Sequence, residues 1–150
     1  MIYEDINLFK NAIDKQGVIM SLDIGTKKIG VATSDFNRII ATPKTIIRKK
    51  LQIDSISEIK KIIDEFNVVA IIIGLPLHMN NSESKISQYV RKFTNILTKS
   101  TPSHPILLLD ERLSTFMAFE IIKENKKTKK RTELIDKISA GIILEYFLSL

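Results

Sequence analysis

Short apolar runs broken by glycine dominate the first part of the chain after residue 16. The run 18–22 ends at Asp23, and a second run begins at Ile29, beyond Gly25. Runs of this length on either side of a glycine favour a β-hairpin over a helix. We therefore predict two strands within residues 17–34, with Asp23 at the end of the first.

A helix and an edge strand are predicted on either side of this hairpin. Three apolar residues at helical spacing precede Gly17, namely Ile6, Phe9 and Ile13. They predict a short amphipathic helix that ends at Gly17. After the hairpin, residues 39–47 predict a third strand. It contains Pro43, which cannot donate to a ladder and therefore indicates an edge or a bulge.

The second half of the chain alternates between helical and strand patterns. Residues 55–58 match a capping box at the start of an apolar stripe, and the β-branched run 68–73 is typical of a strand buried on both faces. Ser82 is a candidate N-cap for the next helix, the strand 106–109 follows, and Thr132 opens a last helix. This order predicts an α/β layered domain, with a mixed sheet between helices.

Composition narrows the chemistry that such a domain can carry. Among 150 residues there is no cysteine and there are two histidines, His78 and His104. The absence of cysteine excludes disulfides, thiolate zinc sites and cysteine nucleophiles, and two histidines disfavour a histidine-rich metal site. A metal site would need oxygen ligands, which suit hard cations. The length fits a single domain over residues 1–150, with a helical extension at residues 1–16.

The sequence contains no pattern for membrane insertion or secretion. The longest apolar run, 68–73, is much shorter than the roughly 20 residues that span a bilayer. The N-terminus lacks a basic region followed by a long apolar core. We expect a cytoplasmic protein without a membrane partner.

Acidic side chains occupy the predicted ends of strands. Asp23 ends the first strand, and Asp110 and Glu111 end the fifth. The carboxyl ends of parallel strands lie on one rim of a sheet, where such sheets bind ligands. Asp136 lies near the start of the last helix on its apolar stripe, and we expect it to face the protein.

Two interpretations of these acids stay open from spacing alone. Asp23 is either a turn-forming residue or a carboxylate that binds metal at the sheet edge. The segment 110–112 fits a solvated loop with an internal ion pair, and Asp136 fits an acid favoured by the helix dipole. The metal hypothesis accounts better for an inward-facing Asp136, which needs a partner. Two Mg²⁺ or Mn²⁺ ions about 4 Å apart suit phosphodiester hydrolysis.

Basic residues flank this predicted acidic rim. The net charge of +6 favours a polyanionic partner. Lys27 and Lys28 follow Asp23, and a basic run precedes the helix of Asp136, namely Lys126, Lys127, Lys129, Lys130 and Arg131. With His78 and Arg112, these residues are candidates for contacts to nucleic-acid phosphates. The alternative for the basic run is a solvated loop.

Four segments, in this order, resemble the YqgF (RuvX) family: 22–32 (LDIGTKKIGVA), 73–77 (IGLPL), 110–115 (DERLST) and 136–140 (DKISA). The resemblance covers the chain from about Gly17 to the C-terminus. The loop after residue 77 departs from the family pattern, because it continues with His78, Met79 and two asparagines instead of Asn, Met and a glycine-containing turn.

The resemblance implies an RNase H-like fold similar to that of RuvC-type resolvases, with three layers and a mixed five-stranded sheet. It implies a hydrolase, namely a metal-dependent nuclease that matures the 5′ end of pre-16S ribosomal RNA during ribosome biogenesis or resolves Holliday junctions. Carried over from the family, Asp23, Glu111 and Asp136 are the catalytic acids, and these with Asp110 bind Mg²⁺ or Mn²⁺. The expected partner is structured RNA or branched DNA, bound by a monomer or a homodimer.

Two other functions stay open from the sequence. The segment 23–30 also resembles the phosphate loop of actin-like ATPases and sugar kinases, although those proteins need two such domains. The other is a non-catalytic nucleic-acid scaffold, as in YqgF-like domains of longer transcription factors. Acids at all three positions favour the nuclease.

Overall fold

The computed structural model describes residues 1–78, 80, 82–112 and 131–150, with residues 52–53 and 131–137 described by their backbone alone. The elements, in chain order, are β1 (Ile2–Tyr3), α1 (Ile6–Ala12), β2 (Val18–Ile24), β3 (Lys28–Ser34), β4 (Ala41–Arg48), α2 (Gln52–Phe66), β5 (Val68–Leu75), α3 (Lys85–Ser100), β6 (Ile106–Asp110) and α4 (Arg131–Ser149).

The strands form one mixed sheet in the order β1-β6-β5-β2-β3-β4. The first four strands of this order, β1, β6, β5 and β2, pair in parallel. The strand β3 pairs antiparallel with both β2 and β4. The carboxyl ends of β2, β5 and β6 therefore lie on one rim. The predicted α/β class with a mixed sheet is confirmed.

The sheet has six strands among the described residues, and the prediction of five is wrong. The additional strand, β1, pairs through Ile2 and Tyr3 with Ile106 and Leu107 of β6. The backbone N–H of Ile106 also donates to the carbonyl of Met1 at 3.0 Å. A pairing of two residues leaves no periodic pattern in the sequence, so hydrophobic alternation cannot reveal it.

Helices cover both faces of the sheet. On one face, Ile59 of α2 and Phe93 of α3 are buried in a core with Leu22 of β2. On the other face, Phe9 of α1 and Ile143 of α4 are buried in a second core. Successive side chains of a strand point to opposite faces. Asp23, next to Leu22, therefore lies on the face that α4 covers.

The N-terminal segment is part of the same structure. The ring of Phe9 is fully buried and makes edge contacts with Tyr3 of β1, at 5.8 Å between centroids, and with Phe147 of α4, at 5.7 Å. The predicted helix at Ile6 is confirmed. It ends at Ala12 and not at Gly17, whose φ of 110° instead serves the turn into β2.

Two predicted helix caps are wrong. The capping box at residues 55–58 lies inside α2, which begins at Gln52, and the Oγ of Ser55 donates back to the carbonyl of Leu51 at 3.4 Å. The next helix is capped by Ser84 and not by Ser82, because Ser84 and Ser87 bond reciprocally. A serine took the place that glutamate usually occupies in this motif, so the pattern was missed.

The edge position of the third predicted strand is confirmed. The strand β4 is the last of the sheet, and Pro43 lies beside a shift in its pairing with β3. It runs over Ala41–Arg48 rather than over 39–47. In the described part of the chain, no helix combines the length and the apolar character that crossing a bilayer requires.

Candidate active site

Asp23 stands at the rim formed by the ends of β2, β5 and β6. It is half-buried and pairs in the ladder with Gly30 of β3. Because Gly30 has no side chain, the space beside the Asp23 carboxylate is left open on that strand. A cleft of about 270 Å³ occupies it and is lined by Asp23, Gly25, Thr26, Lys27, Lys28 and Gly30.

The turn after β2 brings two lysines to this cleft. Its ends are tied by a hydrogen bond from the N–H of Gly25 to the carbonyl of Lys28, at 2.9 Å. Lys27 is exposed and Lys28 is half-buried. A second bond, from the N–H of Lys49 to the carbonyl of Lys27 at 2.9 Å, joins the turn to the end of β4. The turn therefore holds positive charge beside Asp23.

Glu111 follows β6 and lies against β5. Its backbone N–H donates to the carbonyl of Leu75 at 3.3 Å, and its side chain packs over Gly74. A Cβ at residue 74 would overlap Oε2 of Glu111 and would lie 2.7 Å from Cδ1 of Ile143. Glycine at position 74 is therefore what gives the Glu111 carboxylate its place on the face of the sheet that α4 covers.

The Glu111 carboxyl group is disfavoured as an anion in this place. Burial raises its pKa to about 8, with further contributions from the negative charges of Asp23 and Asp110. Carboxylates that share a site repel one another unless a cation or a proton intervenes. Two carboxylates in one partly buried site are also the hard oxygen donors that Mg²⁺ and Mn²⁺ prefer. The donor set thus fits a divalent cation.

Asp110 has a different environment from Glu111. The guanidinium of Arg112 spans its carboxylate, with Nε at 3.0 and 2.9 Å from the two oxygens and Nη2 at 2.5 Å from Oδ2. Burial acts to raise the pKa of Asp110, but the hydrogen bonds and charge of Arg112 outweigh it and lower that pKa. The internal ion pair expected in this segment is present. Of the two adjacent acids, Glu111 is the one coupled to Asp23.

His78 and Arg112 lie together beside the rim. The Nη1 of Arg112 donates to the carbonyl of His78 at 3.2 Å, and the side chain of His78 is exposed. The loop that carries His78 is closed by a bond from its N–H to the carbonyl of Ser82, at 3.1 Å. The structure thus brings both predicted phosphate contacts near Asp110 and Glu111.

The fourth predicted acid belongs to α4. The Oγ of Ser21 donates to the carbonyl of Ala140 at 2.5 Å, which fixes the helix to the strand that carries Asp23. Position 136 is one helical turn, about 6 Å, from Ala140. The side chains of Asp136 and Arg131 lie outside the described residues, as do residues 126, 127, 129 and 130 entirely. Within the described part, no three acidic or histidine side chains form a metal-holding group.

Two residues that organise the site were not singled out from the sequence. Gly74 makes room for Glu111, and Ser21 bonds to α4 from a fully buried position in β2. The signal for Ser21 was its hydroxyl in an otherwise apolar strand, since a buried hydroxyl needs a partner. Gly74 lies in segment 73–77, which carries the family resemblance, but its role was not visible there, because this role depends on a neighbour 37 positions later in the chain.

Comparison with known proteins gives consistent matches. The family model described as "RuvX: Holliday junction resolvase" matches residues 17–150. A protein of Paracoccus denitrificans, named "Putative pre-16S rRNA nuclease", is 39% identical over 97% of this chain and 92% of its own length. A protein of the same name from Rhodobacter capsulatus is 41% identical over 97% of this chain and 91% of its own length.

Solved structures show the same fold at low identity. Thermus thermophilus RuvC in complex with a Holliday junction substrate superposes with a TM-score of 0.55 at 10% identity, covering 89% of this chain and 94% of that one. The human cytomegalovirus terminase nuclease domain gives a TM-score of 0.51 at 11% identity, covering 97% and 94%. The predicted RuvC-type, RNase H-like fold is confirmed, with six strands in place of five.

Proposed function

Because the chain belongs to the RuvX family, we propose that it is a nuclease that hydrolyses phosphodiester bonds of structured nucleic acid with a divalent cation. The names of relatives that align over nearly the whole chain support pre-16S ribosomal RNA as its substrate, and the family resemblance implies that the reaction matures the 5′ end of this RNA. Hydrolysis of a ribosomal RNA precursor also agrees with the net charge of +6.

The observation that carries this proposal is the coupling between Glu111 and Asp23. They are far apart in sequence, and yet the charge of Asp23 adds to the effect of burial in raising the pKa of Glu111 to about 8. Because burial and the charge of Asp23 both disfavour the ionised form of Glu111, the fold loses stability when this carboxyl group ionises. A divalent cation held between them would remove this cost, which is why we assign them as Mg²⁺ or Mn²⁺ ligands.

The residues of the site then have distinct roles. Asp23 and Glu111 hold the cation, and we propose that Asp136 completes the set from α4. When bound, the cation lowers the pKa of a water nucleophile and offsets charge on the phosphate. Arg112 keeps Asp110 engaged, so Asp110 has a secondary part in binding metal. Gly74 keeps Glu111 in place.

Basic residues around the rim would bind the substrate backbone. Lys27 and Lys28 line the cleft beside Asp23, and Arg112 and His78 stand at the ends of the neighbouring strands. We propose that these four, with the basic run 126–131, contact phosphates on either side of the cleaved bond. Such contacts bind with little dependence on sequence and weaken as salt increases.

We also propose that residues 1–150 act as one nuclease domain. The extension at residues 1–16 supports this proposal, because β1 joins the edge of the common sheet and Phe9 is buried between α4 and β1.

Cleavage of a precursor transcript tests the proposed function. A 5′-labelled fragment of pre-16S ribosomal RNA is incubated with the protein in Mn²⁺, in Mg²⁺ and in EDTA. The variants are Asp23→Asn, Glu111→Gln, Asp136→Asn and Asp110→Asn. Asp64→Asn, an exposed acid near the end of α2, is the matched control.

We expect cleavage in either metal, none in EDTA, and losses of at least about 100-fold for the first three variants, since each removes charge that stabilises the transition state. Asp110→Asn should lose less, because Arg112 already engages that carboxylate. The control should keep its activity. Full cleavage in EDTA, or by Asp23→Asn, would contradict the proposal.

Resolution of Holliday junctions is the second candidate, supported by the description of the matching family. A four-way junction and a linear duplex of the same sequence distinguish the two reactions when compared with the precursor RNA. Paired, symmetric nicks in the junction, by a homodimer, would favour resolution. Trimming of the RNA by a monomer, with the junction left intact, would favour ribosomal RNA maturation.

A further inference from the structure

A basic groove lies next to the cleft, on the outer side of β4. Its volume is about 510 Å³, and it is lined by Ile46, Arg48, Lys50, Asp54, Ser57, Glu58 and Lys61. It runs between the end of the edge strand and the flank of α2. We call it the β4–α2 groove. None of its residues was assigned to the active site or to substrate binding above.

The groove and the cleft are adjacent across a single strand pair. Arg48 is the ladder partner of Lys28, and Ile46 is the ladder partner of Gly30, so a residue of the groove lies beside a residue of the cleft at two alternate positions of this strand pair. Neighbouring strands are about 4.8 Å apart. A chain that leaves the cleft over Lys28 would therefore meet Arg48 next.

The cations of the groove are available to a ligand. Arg48, Lys50 and Lys61 are exposed. None of the three forms an ion pair with another residue that the structure describes. Arg91, by contrast, is held between Glu4 and Glu83. The groove also holds two exposed acids, Asp54 and Glu58. Its three cations exceed these acids by one charge, and the two lysines of the cleft exceed Asp23 by one more.

The dimensions suit a nucleic-acid backbone. Residues 54 to 61 of α2 span about 10 Å of helix, and a strand of a duplex carries one phosphate per about 3.4 Å along its axis. A backbone segment of about three phosphates therefore fits along the groove, with Lys61 on α2 and with Arg48 and Lys50 at the end of β4. An apolar ligand is a poor fit, because Ile46 is the one large apolar residue among those that line the groove.

We propose that the β4–α2 groove binds the sugar-phosphate backbone of the substrate outside the cleaved position, as a continuation of the cleft. The inference rests on the proposed nuclease function and deepens it. Arg48, Lys50 and Lys61 contact successive phosphates of a segment that flanks the cleavage site. A substrate long enough to reach the groove therefore binds more tightly than one that fills the cleft alone.

The test compares two triple variants of equal charge change in the full chain, each made in the Asp23→Asn background so that the substrate stays intact. The groove variant is Arg48→Gln, Lys50→Gln and Lys61→Gln. The control variant is Lys15→Gln, Lys60→Gln and Lys99→Gln, all exposed residues. Lys60 neighbours Lys61 in α2 but lines a different pocket, beside Ser100 and His104. Circular dichroism and thermal unfolding establish that both variants are folded.

Fluorescence anisotropy gives Kd for a labelled RNA stem of about 6 base pairs and for one of about 20, between 0.05 and 0.3 M KCl. For the long stem, we expect the groove variant to lose at least about tenfold in affinity at 0.1 M salt, and its salt slope to fall by about 2. The control variant should lose clearly less. For the short stem, the two variants should bind alike.

Three outcomes would overturn the inference. Equal losses in both triple variants would mean that only net charge acts, and unchanged binding by the groove variant would mean that the groove has no role. Loss of binding to the short stem alone would place the contact inside the cleft. Failure of the proposed function is distinguishable, because the protein without these substitutions would then neither bind nor cleave precursor RNA in Mn²⁺.

Discussion

At the scale of single residues, Gly74 and Glu111 depend on each other. The carboxylate of Glu111 occupies the space that a side chain at position 74 would need. Substitutions at either residue should therefore affect both stability and activity.

Gly74→Ala is expected to displace Glu111 and to lower activity more than stability. The added methyl group would overlap Oε2 of Glu111 and approach Cδ1 of Ile143 to 2.7 Å. Both atoms are the ends of flexible side chains that can move aside, so the free energy of unfolding should fall by less than about 1 kcal/mol, the low end of the cost of overpacking. Urea unfolding measures this loss, and cleavage of precursor RNA measures the effect on the site. Full activity of Gly74→Ala would contradict the packing described.

The pKa of Glu111 predicts how stability depends on pH in EDTA. In the folded protein this pKa is about 8, against an ordinary value of 4.5. Between these values the unfolded chain has lost the proton that the folded protein keeps, so the free energy of unfolding falls as pH rises, by at most about 1.4 kcal/mol per pH unit. Above about pH 8 the fall from this group ends.

Unfolding in urea at pH 5.5, 7 and 8.5 measures this slope. Glu111→Gln removes the titrating group, so its free energy of unfolding should decrease less with pH than that of the wild type. Asp64→Asn, remote from the rim, should follow the wild type. Parallel profiles for the wild type and Glu111→Gln would show that Glu111 ionises normally in the folded protein.

At the scale of elements, Lys49 connects the end of β4 with α3. Its ammonium lies 4.3 Å from the centroid of the Tyr89 ring and 4.9 Å from that of Phe93, and it donates to the Tyr89 hydroxyl at 2.5 Å. The backbone N–H of Lys49 holds the carbonyl of Lys27. The same residue thus joins α3, β4 and the turn beside Asp23.

Lys49→Met should lower the free energy of unfolding by about 1–2 kcal/mol, because it keeps the apolar stem and removes the cation–π contacts. Tyr89→Phe keeps the ring and should lose about 1 kcal/mol, the typical value of one hydrogen bond. The matched control is Lys44→Met. It should lose less, because the Lys44 ammonium has one cation–π contact, with the Phe66 ring at 4.7 Å, instead of two. Chemical denaturation measures the free energy of unfolding of all three variants. Equal losses for Lys49→Met and Lys44→Met would contradict a connecting role for Lys49.

Most elements were predictable because their buried residues leave a pattern of the expected length and spacing in the sequence. The strands β2 and β5 are apolar runs of a length that suits strands, and α3 has a regular apolar stripe, so their patterns are visible in the sequence. The short strand β1 and the start of α2 were not, since pairing of two residues and a cap without a side-chain bond leave no pattern. Patterns of neighbouring residues do not locate the end of a helix or strand where tertiary contacts determine it.

At the scale of the whole molecule, the topology brings distant acids together. Asp23 and Glu111 end strands that run in the same direction, and this is why the sequence alone predicted a common rim. The different environments of Asp110 and Glu111 could not be predicted from spacing, because they depend on which side chain the Arg112 guanidinium reaches. Three-dimensional placement also revealed the contact between Gly74 and Glu111.

The central claim is that Asp23 and Glu111 hold a divalent cation, and calorimetric titration of the metal-free protein with Mn²⁺ tests it most directly. Titrations at pH 7 in buffers of different ionisation enthalpy also count the protons released. Because Glu111 has a pKa of about 8 without metal, binding should release about one proton. Asp23→Asn and Glu111→Gln should lose at least about tenfold in Mn²⁺ affinity, and Asp64→Asn should keep it. Mn²⁺ binding that is unchanged in both site variants, with no proton released, would contradict the account.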